Sequence, residues 1–302
     1  MRLQAEITTD VISKIASLLK SYTKEDIILY FSEKNISFCI SMNNQIGAWI
    51  ECDIPSCFNK YLIKSKQDDT ISLKVEASQL AQALAYDQSY SIRAILSQKD
   101  SSVFLQLIHR TLDGLKQLEQ RVPIILLNQQ SVLNYAEPDW GKATMVAKLP
   151  QIKNLNDWCS KLQGSTFKYL TISIIRNSDS GKIDVGLRAE SESKTVSVYT
   201  RFPDMEITNR FKDRNSTSES EKNGISEQII DNNNDITDEE VEDNDLVECD
   251  VTIELKKFAK TLKVQQLQPT VQRLYIHDKK LLRLQFETLN SKMTVALFGL
   301  ST

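Results

Sequence analysis

Four segments of this chain of 302 residues share one grammar: a strand, a short amphipathic helix, another strand. The first reads RLQAEI, DVISKIASLLKSY, DIILYFS. The second reads TISLKVEA, SQLAQALAYDQ, YSIRAILS. The third reads TMVAKL, PQIKNLNDWCSKLQ, YLTISIIRN, and the fourth CDVTIEL, KKFAKTLKVQQ, VQRLYIHD. The strands are rich in β-branched residues and alternate, and the helices last about three turns. Further alternating strands lie between them: ISFCIS, IGAWIECDI and VFLQLIHR early, IDVGLRAE, TVSVYTRF and LLRLQFET late. Each half therefore reads strand, helix, several strands, helix, several strands. A repeat on this scale constrains the architecture more than any single motif. It predicts an α+β chain of two similar domains, built from antiparallel sheets with two helices each.

The joint falls at Asn128–Lys142, NQQSVLNYAEPDWGK, where turn formers replace periodicity. The expected division is 1–127, a connecting loop 128–142, and 143–302. The first domain closes on EQRVPIILLN. Pro123 has no N–H to give to a ladder, so this strand belongs at a sheet edge or a bulge. An apolar edge invites pairing by another chain or a covering segment of its own.

Charge is unevenly spread. Between Thr208 and Asp250 there are 14 acidic residues and 4 basic ones, a local charge of −10 in a chain of net charge −3. The remainder thus carries about +7, which hints at a polyanionic partner. The tract from about 204 to 246 is polar, Asn-rich and poor in aromatics. It is expected to stay disordered, as a loop inserted within the second half.

The helices carry the basic excess. In the fourth, Leu255, Phe258, Ala259 and Leu262 make one apolar stripe, and Lys256, Lys257, Lys260 and Lys263 occupy the rest. In the first, Val11, Ile12, Ile15, Leu18 and Leu19 form the apolar face, with Lys14 and Lys20 outside. In the third, Ile152, Leu155, Cys159 and Leu162 point inward, with Lys153 and Lys161 outside. The second helix, around Ser78 to Gln88, has no lysine. Such a face on one helix is ordinarily a solvated surface. Recurring in equivalent positions, it can merge into a surface that touches phosphates by charge alone, without reading sequence.

Catalytic signatures are missing: no phosphate-cradling glycine loop, no Gly-x-Ser-x-Gly, no histidine pair at ligand spacing. No cofactor is implied. Cys52 and Cys57 are the nearest approach to a metal motif. They lack a second cysteine pair, and His109 and His277 lie far off in sequence, so a metal site is not expected. Five cysteines at irregular spacing suit free thiols in a reducing compartment. No apolar run nears the roughly 20 residues of a membrane span, and no membrane partner is expected.

The order of several segments resembles one family. MRLQAEI, GAWIECDIPSCFNKYLI, TISLKVEASQLAQAL, VPIILL, AEPDW before AKLP, and MTVALFGLST are similar to the Hus1-type subunit of the 9-1-1 checkpoint clamp, within the PCNA-like sliding-clamp superfamily. The likeness spans nearly the whole chain apart from the acidic tract. The linker, with Trp140 and Gly141, is less proline-rich than the family pattern.

That resemblance implies a duplicated DNA-clamp fold with its helices on the DNA-facing side. It implies a heterotrimeric ring with two related chains, one Rad9-like and one Rad1-like, around duplex DNA in the nucleus. A replication-factor-C-like ATPase would load it, and checkpoint kinase activation and repair would follow. The DNA-facing residues would be Lys14, Lys20, Lys153, Lys161, Lys256, Lys257, Lys260 and Lys263. The strand Leu118–Leu127, with Val122, Pro123, Ile124 and Leu126, would pair with one neighbour. Lys194–Phe202, with Val196, Val198 and Thr200, would pair with the other. The acidic loop would project away from DNA. Two other readings stay open on the residues alone: a homotrimeric replicative clamp, and a scaffold unrelated to DNA.

Overall fold

The computed structural model describes residues 1–7, 11–41, 46–66, 68–85, 90–111, 113–162, 166–176, 182–193, 195–205, 248–277 and 280–300. The first half runs β1 (Arg2–Ile7), α1 (Val11–Tyr22), β2 (Asp26–Phe31), β3 (Asn35–Ile40), β4 (Ile46–Asp53), the one-turn α2 (Ile54–Cys57) and β5 (Phe58–Lys64). It continues with β6 (Ile71–Glu76), α3 (Ala77–Leu84), β7 (Tyr90–Lys99), β8 (Ser102–Thr111), β9 (Gln117–Pro123) and β10 (Ile125–Leu127). A short helix, α4 (Gln129–Leu133), leads to the second half. That half runs β11 (Met145–Lys148), α5 (Ile152–Leu162), β12 (Phe167–Arg176), β13 (Ile183–Ser191), β14 (Ser197–Met205) and β15 (Glu248–Glu254). It ends with α6 (Leu255–Thr261), a 3-10 extension Leu262–Leu267, β16 (Val271–His277), β17 (Leu281–Glu287) and β18 (Ser291–Phe298).

The repeat is visible in the pairing. The first half forms one sheet ordered β5-β1-β7-β8-β9 and a second block β6-β2-β3-β4. The second half forms β11-β16-β17-β18 and β15-β12-β13-β14. The registers correspond as well. Leu73 lies opposite Leu29, Leu29 opposite Phe38, and Phe38 opposite Ile50. Val251 lies opposite Ile172, Ile172 opposite Leu187, and Leu187 opposite Thr200. Leu73 and Val251 each stand four residues before a helix.

The two halves are fused where β4 pairs antiparallel with β18, from Ser291 opposite Cys52 to Leu297 opposite Ile46. With β10 added to β6, this makes one nine-stranded sheet, β10-β6-β2-β3-β4-β18-β17-β16-β11. Its inward side chains (Phe38, Ala48, Ile50, Val295) belong to one core with the apolar faces of α1, α3, α5 and α6. Phe258 is fully buried there, a burial worth about 1.5–3 kcal/mol.

Segment 128–142 starts as a capped turn: the Asn128 side chain accepts from Ser131 N at 2.8 Å. It then lies on the sheet face away from the helices. Trp49 Nε1 donates to the Tyr135 carbonyl at 2.9 Å, and Trp140 meets the Trp49 ring edge-on at 5.5 Å.

Three sequence expectations are corrected. The strand Leu118–Leu127 is two strands in two sheets: β9 pairs with β8 and β10 with β6. Pro123 cannot extend the ladder, and Ile124 turns inward between the sheets, its N–H bonded to the Val103 carbonyl at 3.2 Å. Asp204 and Met205 belong to β14 and not to the acidic tract; the rest of that tract from 206 lies outside the described residues. The second helix ends at Leu84, and residues 86–88 of the expected helix are likewise outside.

Candidate nucleic-acid interface

The helices pack side by side in the order α3, α1, α6 with its 3-10 extension, α5. Three hydrogen bonds tie α1, α6 with its extension, and α5 together. Tyr22 Oη, at the end of α1, donates to the Thr261 carbonyl at 3.1 Å. Gln266 Nε2 donates to the Lys14 carbonyl at 3.0 Å. Asn156 Nδ2, on α5, donates to Gln265 Oε1 at 2.7 Å. Helices from both halves thus form one layer, and their outward residues share one surface.

Lysines dominate the middle of that surface. Lys256 and Lys263 are exposed, while Lys257 and Lys260 are half-buried. Lys257 Nζ is held by Glu254 Oε1 at 2.7 Å, so part of its charge is already balanced. Lys260 loses its proton more readily than an ordinary lysine. Partial burial is the main cause, followed by repulsion from Lys256, Lys263, Lys24 and Lys257. Positive groups gathered closely enough to oppose one another's charge attract an anion. Lys20 and Lys263 line one depression together with Ser17, Ser21 and Gln266. Lys153, Gln265 and Gln268 line another beside Lys148.

Each lysine singled out from sequence sits on this helix layer. Lys14, half-buried, and Lys20, exposed, are on α1. Lys153 and Lys161, both exposed, are on α5. The structure adds Lys24, which the sequence reading missed. It follows α1 in a turn where Thr23 Oγ1 accepts from Glu25 N at 2.9 Å. Helical periodicity ends before it, and only the packing of α1 on α6 brings it near Lys260. The layer is not uniformly basic, since Asp157 is also exposed on α5.

The seven edge residues divide. Val122 and Ile124 are buried in the chain's own core, so their side chains are not on the rim. Pro123 is exposed at the end of β9, and Leu126 is on β10 opposite Leu73. On β14 and the residue before it, Val196 is 52% and Val198 38% exposed, and Thr200 is half-buried. Tyr199 stands exposed between them at 54%. Among the described residues, no strand pairs with β9 opposite β8, or with β14 opposite β13.

No group of three His, Cys, Asp or Glu side chains suited to a metal ion occurs among the described residues. Cys52 and Cys57 hydrogen-bond to each other, and that bond and burial push the Cys52 thiol up. No described helix is long and apolar enough to cross a membrane.

The family model described as Hus1-like protein matches residues 1–300. The chain belongs to the Hus1-like family. A curated relative, the checkpoint protein hus1 homolog of Dictyostelium discoideum, is 22% identical over 289 residues, covering 93% of each chain. The proliferating cellular nuclear antigen of Entamoeba histolytica superposes with a TM-score of 0.65 over 99% of both chains at 13% identity. At that identity the likeness concerns the fold: a duplicated clamp fold, as the paired halves already indicated. In this Hus1-like chain, the eight lysines named from sequence all lie on the helix layer.

Proposed function

We propose that this chain is a non-catalytic subunit of a heterotrimeric DNA-damage checkpoint clamp. Its helix layer faces duplex DNA and holds it through phosphates, without reading sequence. The observation that carries the reading is the relation between its joined and open strands. Inside the chain, β18 pairs with β4. The strands in the corresponding places, β9 and β14, each lie at a sheet edge with one side open among the described residues. Repeating the internal joint between chains would extend the assembly at both ends, and in a closed ring of such units neither of these two edges stays open. Family membership supports a clamp complex with other subunits; in this reading those subunits are one Rad9-like and one Rad1-like chain, and not further copies of this one. In this reading 1–127 and 143–302 are the two clamp domains, and 128–142 connects them across the outer face. A replication-factor-C-like ATPase loads the ring in the nucleus, and the loaded ring supports kinase activation and repair.

The test is the native mass and composition of the complex purified through this protein from its own cells. One copy each of three clamp-like chains is expected. A homotrimer would favour a replicative clamp, and a monomer without clamp-like companions would remove both. Changing Lys256, Lys257, Lys260 and Lys263 together to Glu should then abolish stable DNA retention while leaving assembly intact. Undiminished retention would sink the assigned DNA face.

A further inference from the structure

The two ends of the helix layer differ in charge, and the repeat makes the difference exact enough to compare side chain by side chain. Leu73 and Val251 occupy the same register place, four residues before α3 and α6. Carried forward, Ala77 matches Leu255, Leu80 matches Phe258, Ala81 matches Ala259, and Leu84 matches Leu262. All eight are buried. The outward positions follow. Lys256 corresponds to Ser78, Lys257 to Gln79, Lys260 to Gln82 and Lys263 to Ala85. Each lysine of α6 and its 3-10 extension has a neutral counterpart on α3 or at its end.

The acid that begins each helix tells the same story. Glu254 is held by the Lys257 ammonium at 2.7 Å. Its counterpart Glu76 is held by the neutral side chains of Ser78 and Gln79. The outer face of α3 therefore has no lysine and keeps a carboxylate at its head. It packs against α1 on one side and β9 on the other. Packed helices lie about 8–10 Å apart, so α3 stands roughly 16–20 Å from α6 across α1. That is about two screening lengths at physiological salt. The α6 lysines do not supply over α3 the field that α3 lacks.

We propose that the polyanion follows a three-helix track and passes α3 without contact. The track comprises α1 with Lys24, α6 with its 3-10 extension, and α5. The end of the layer beside β9 is a gap without lysine. This rests on the DNA-binding reading above and narrows it to particular helices.

The test uses the complex purified from its own cells and loaded on a linear duplex with blocked ends. A photo-crosslinking amino acid replaces Gln79, Gln82, Lys256 or Lys263, one at a time; all four positions are exposed. Strong crosslinks are expected at 256 and 263, and roughly tenfold fewer at 79 and 82, given phosphate contact through α6 alone of the two helices. Equal crosslinking at α3 and α6 overturns the three-helix track and leaves the DNA reading standing. No crosslink at any of the four removes the DNA reading itself. A second measurement separates contact from proximity. Gln79→Glu with Gln82→Glu should leave the salt dependence of DNA retention unchanged. Lys256→Glu with Lys263→Glu should lower its slope by about 2. A loss from the α3 pair as large as that from the α6 pair also overturns the proposal.

Discussion

The phenol of Tyr22 donates a hydrogen bond to the main-chain carbonyl of Thr261, 3.1 Å away, across 239 positions of sequence. It ties the first helix to the last, and burial holds the phenol protonated well above its ordinary range. Tyr22→Phe leaves the ring packed and takes away the donor. A buried acceptor deprived of its partner costs about 1–3 kcal/mol. The expected result is a lower urea midpoint with an unchanged slope; an unmoved midpoint would mean the bond contributes nothing net.

Lys257 and Lys263 lie on the same helical segment but should differ in their contribution to DNA retention. Glu254 engages Lys257, whereas Lys263 is exposed. Lys263→Gln should lower the salt slope by about 0.9, and Lys257→Gln by less. The comparison is retention on duplex DNA across a salt series; the reverse order would contradict the charge balance drawn here.

Trp140 holds the connecting segment to the sheet through its edge-on contact with Trp49. An aromatic pair of this kind adds about 0.5–1.5 kcal/mol beyond its burial. Trp140→Ala should cost at least that amount and, more visibly, speed limited proteolysis between Asn128 and Lys142. Unchanged cleavage there would show that the Trp49–Tyr135 hydrogen bond alone retains the segment.

Gly186 on β13 is required by crowding. A Cβ at this position would lie 2.5 Å from Ser173 Oγ and 3.1 Å from Tyr199 Oη. Gly186→Ala should destabilise by about 1–3 kcal/mol. Adding Ser173→Ala should recover part of the loss, because the closest clash is with that hydroxyl. Strictly additive losses in the two-residue cycle would place the strain elsewhere.

Burial raises the Cys159 thiol from its ordinary value of 9.0 to about 12. The folded chain holds this proton more tightly than the unfolded chain. The associated stability is complete below about pH 9 and is lost as pH rises from there toward 12. Unfolding measured in urea from pH 8 upward should show an alkaline decline that is shallower in Cys159→Ala. Equal declines would assign the effect to other groups.

Much of this was legible locally. The stripe Leu255, Phe258, Ala259 and Leu262 was set by helical spacing, and all four are buried. Strand–helix–strand order also survives folding, because alternation and 3.6-residue periodicity are imposed by contact with one continuous core. The joint of β4 with β18 was not legible. It links residues hundreds of positions apart, and neither strand's pattern names its partner. The break at Ile124 was hidden because its apolar neighbours fit one strand as well as two. The correspondence of Lys260 with Gln82 became visible only when strand registers supplied the alignment.

The last described strand, β18, sits in the interior of the nine-stranded sheet and not at its rim. The chain is synthesised in one direction. Strand β4 is therefore made well before its hydrogen-bonding partner, since Cys52 pairs with Ser291, 239 positions later. Throughout translation of the second half, Ile46–Asp53 waits with one side uncovered. The first half cannot complete its long sheet as it emerges, because that sheet needs β18 beside β4. A ribosome that stalls before Ser291 would leave a folded-looking first half whose exposed strand is open to misplaced pairing.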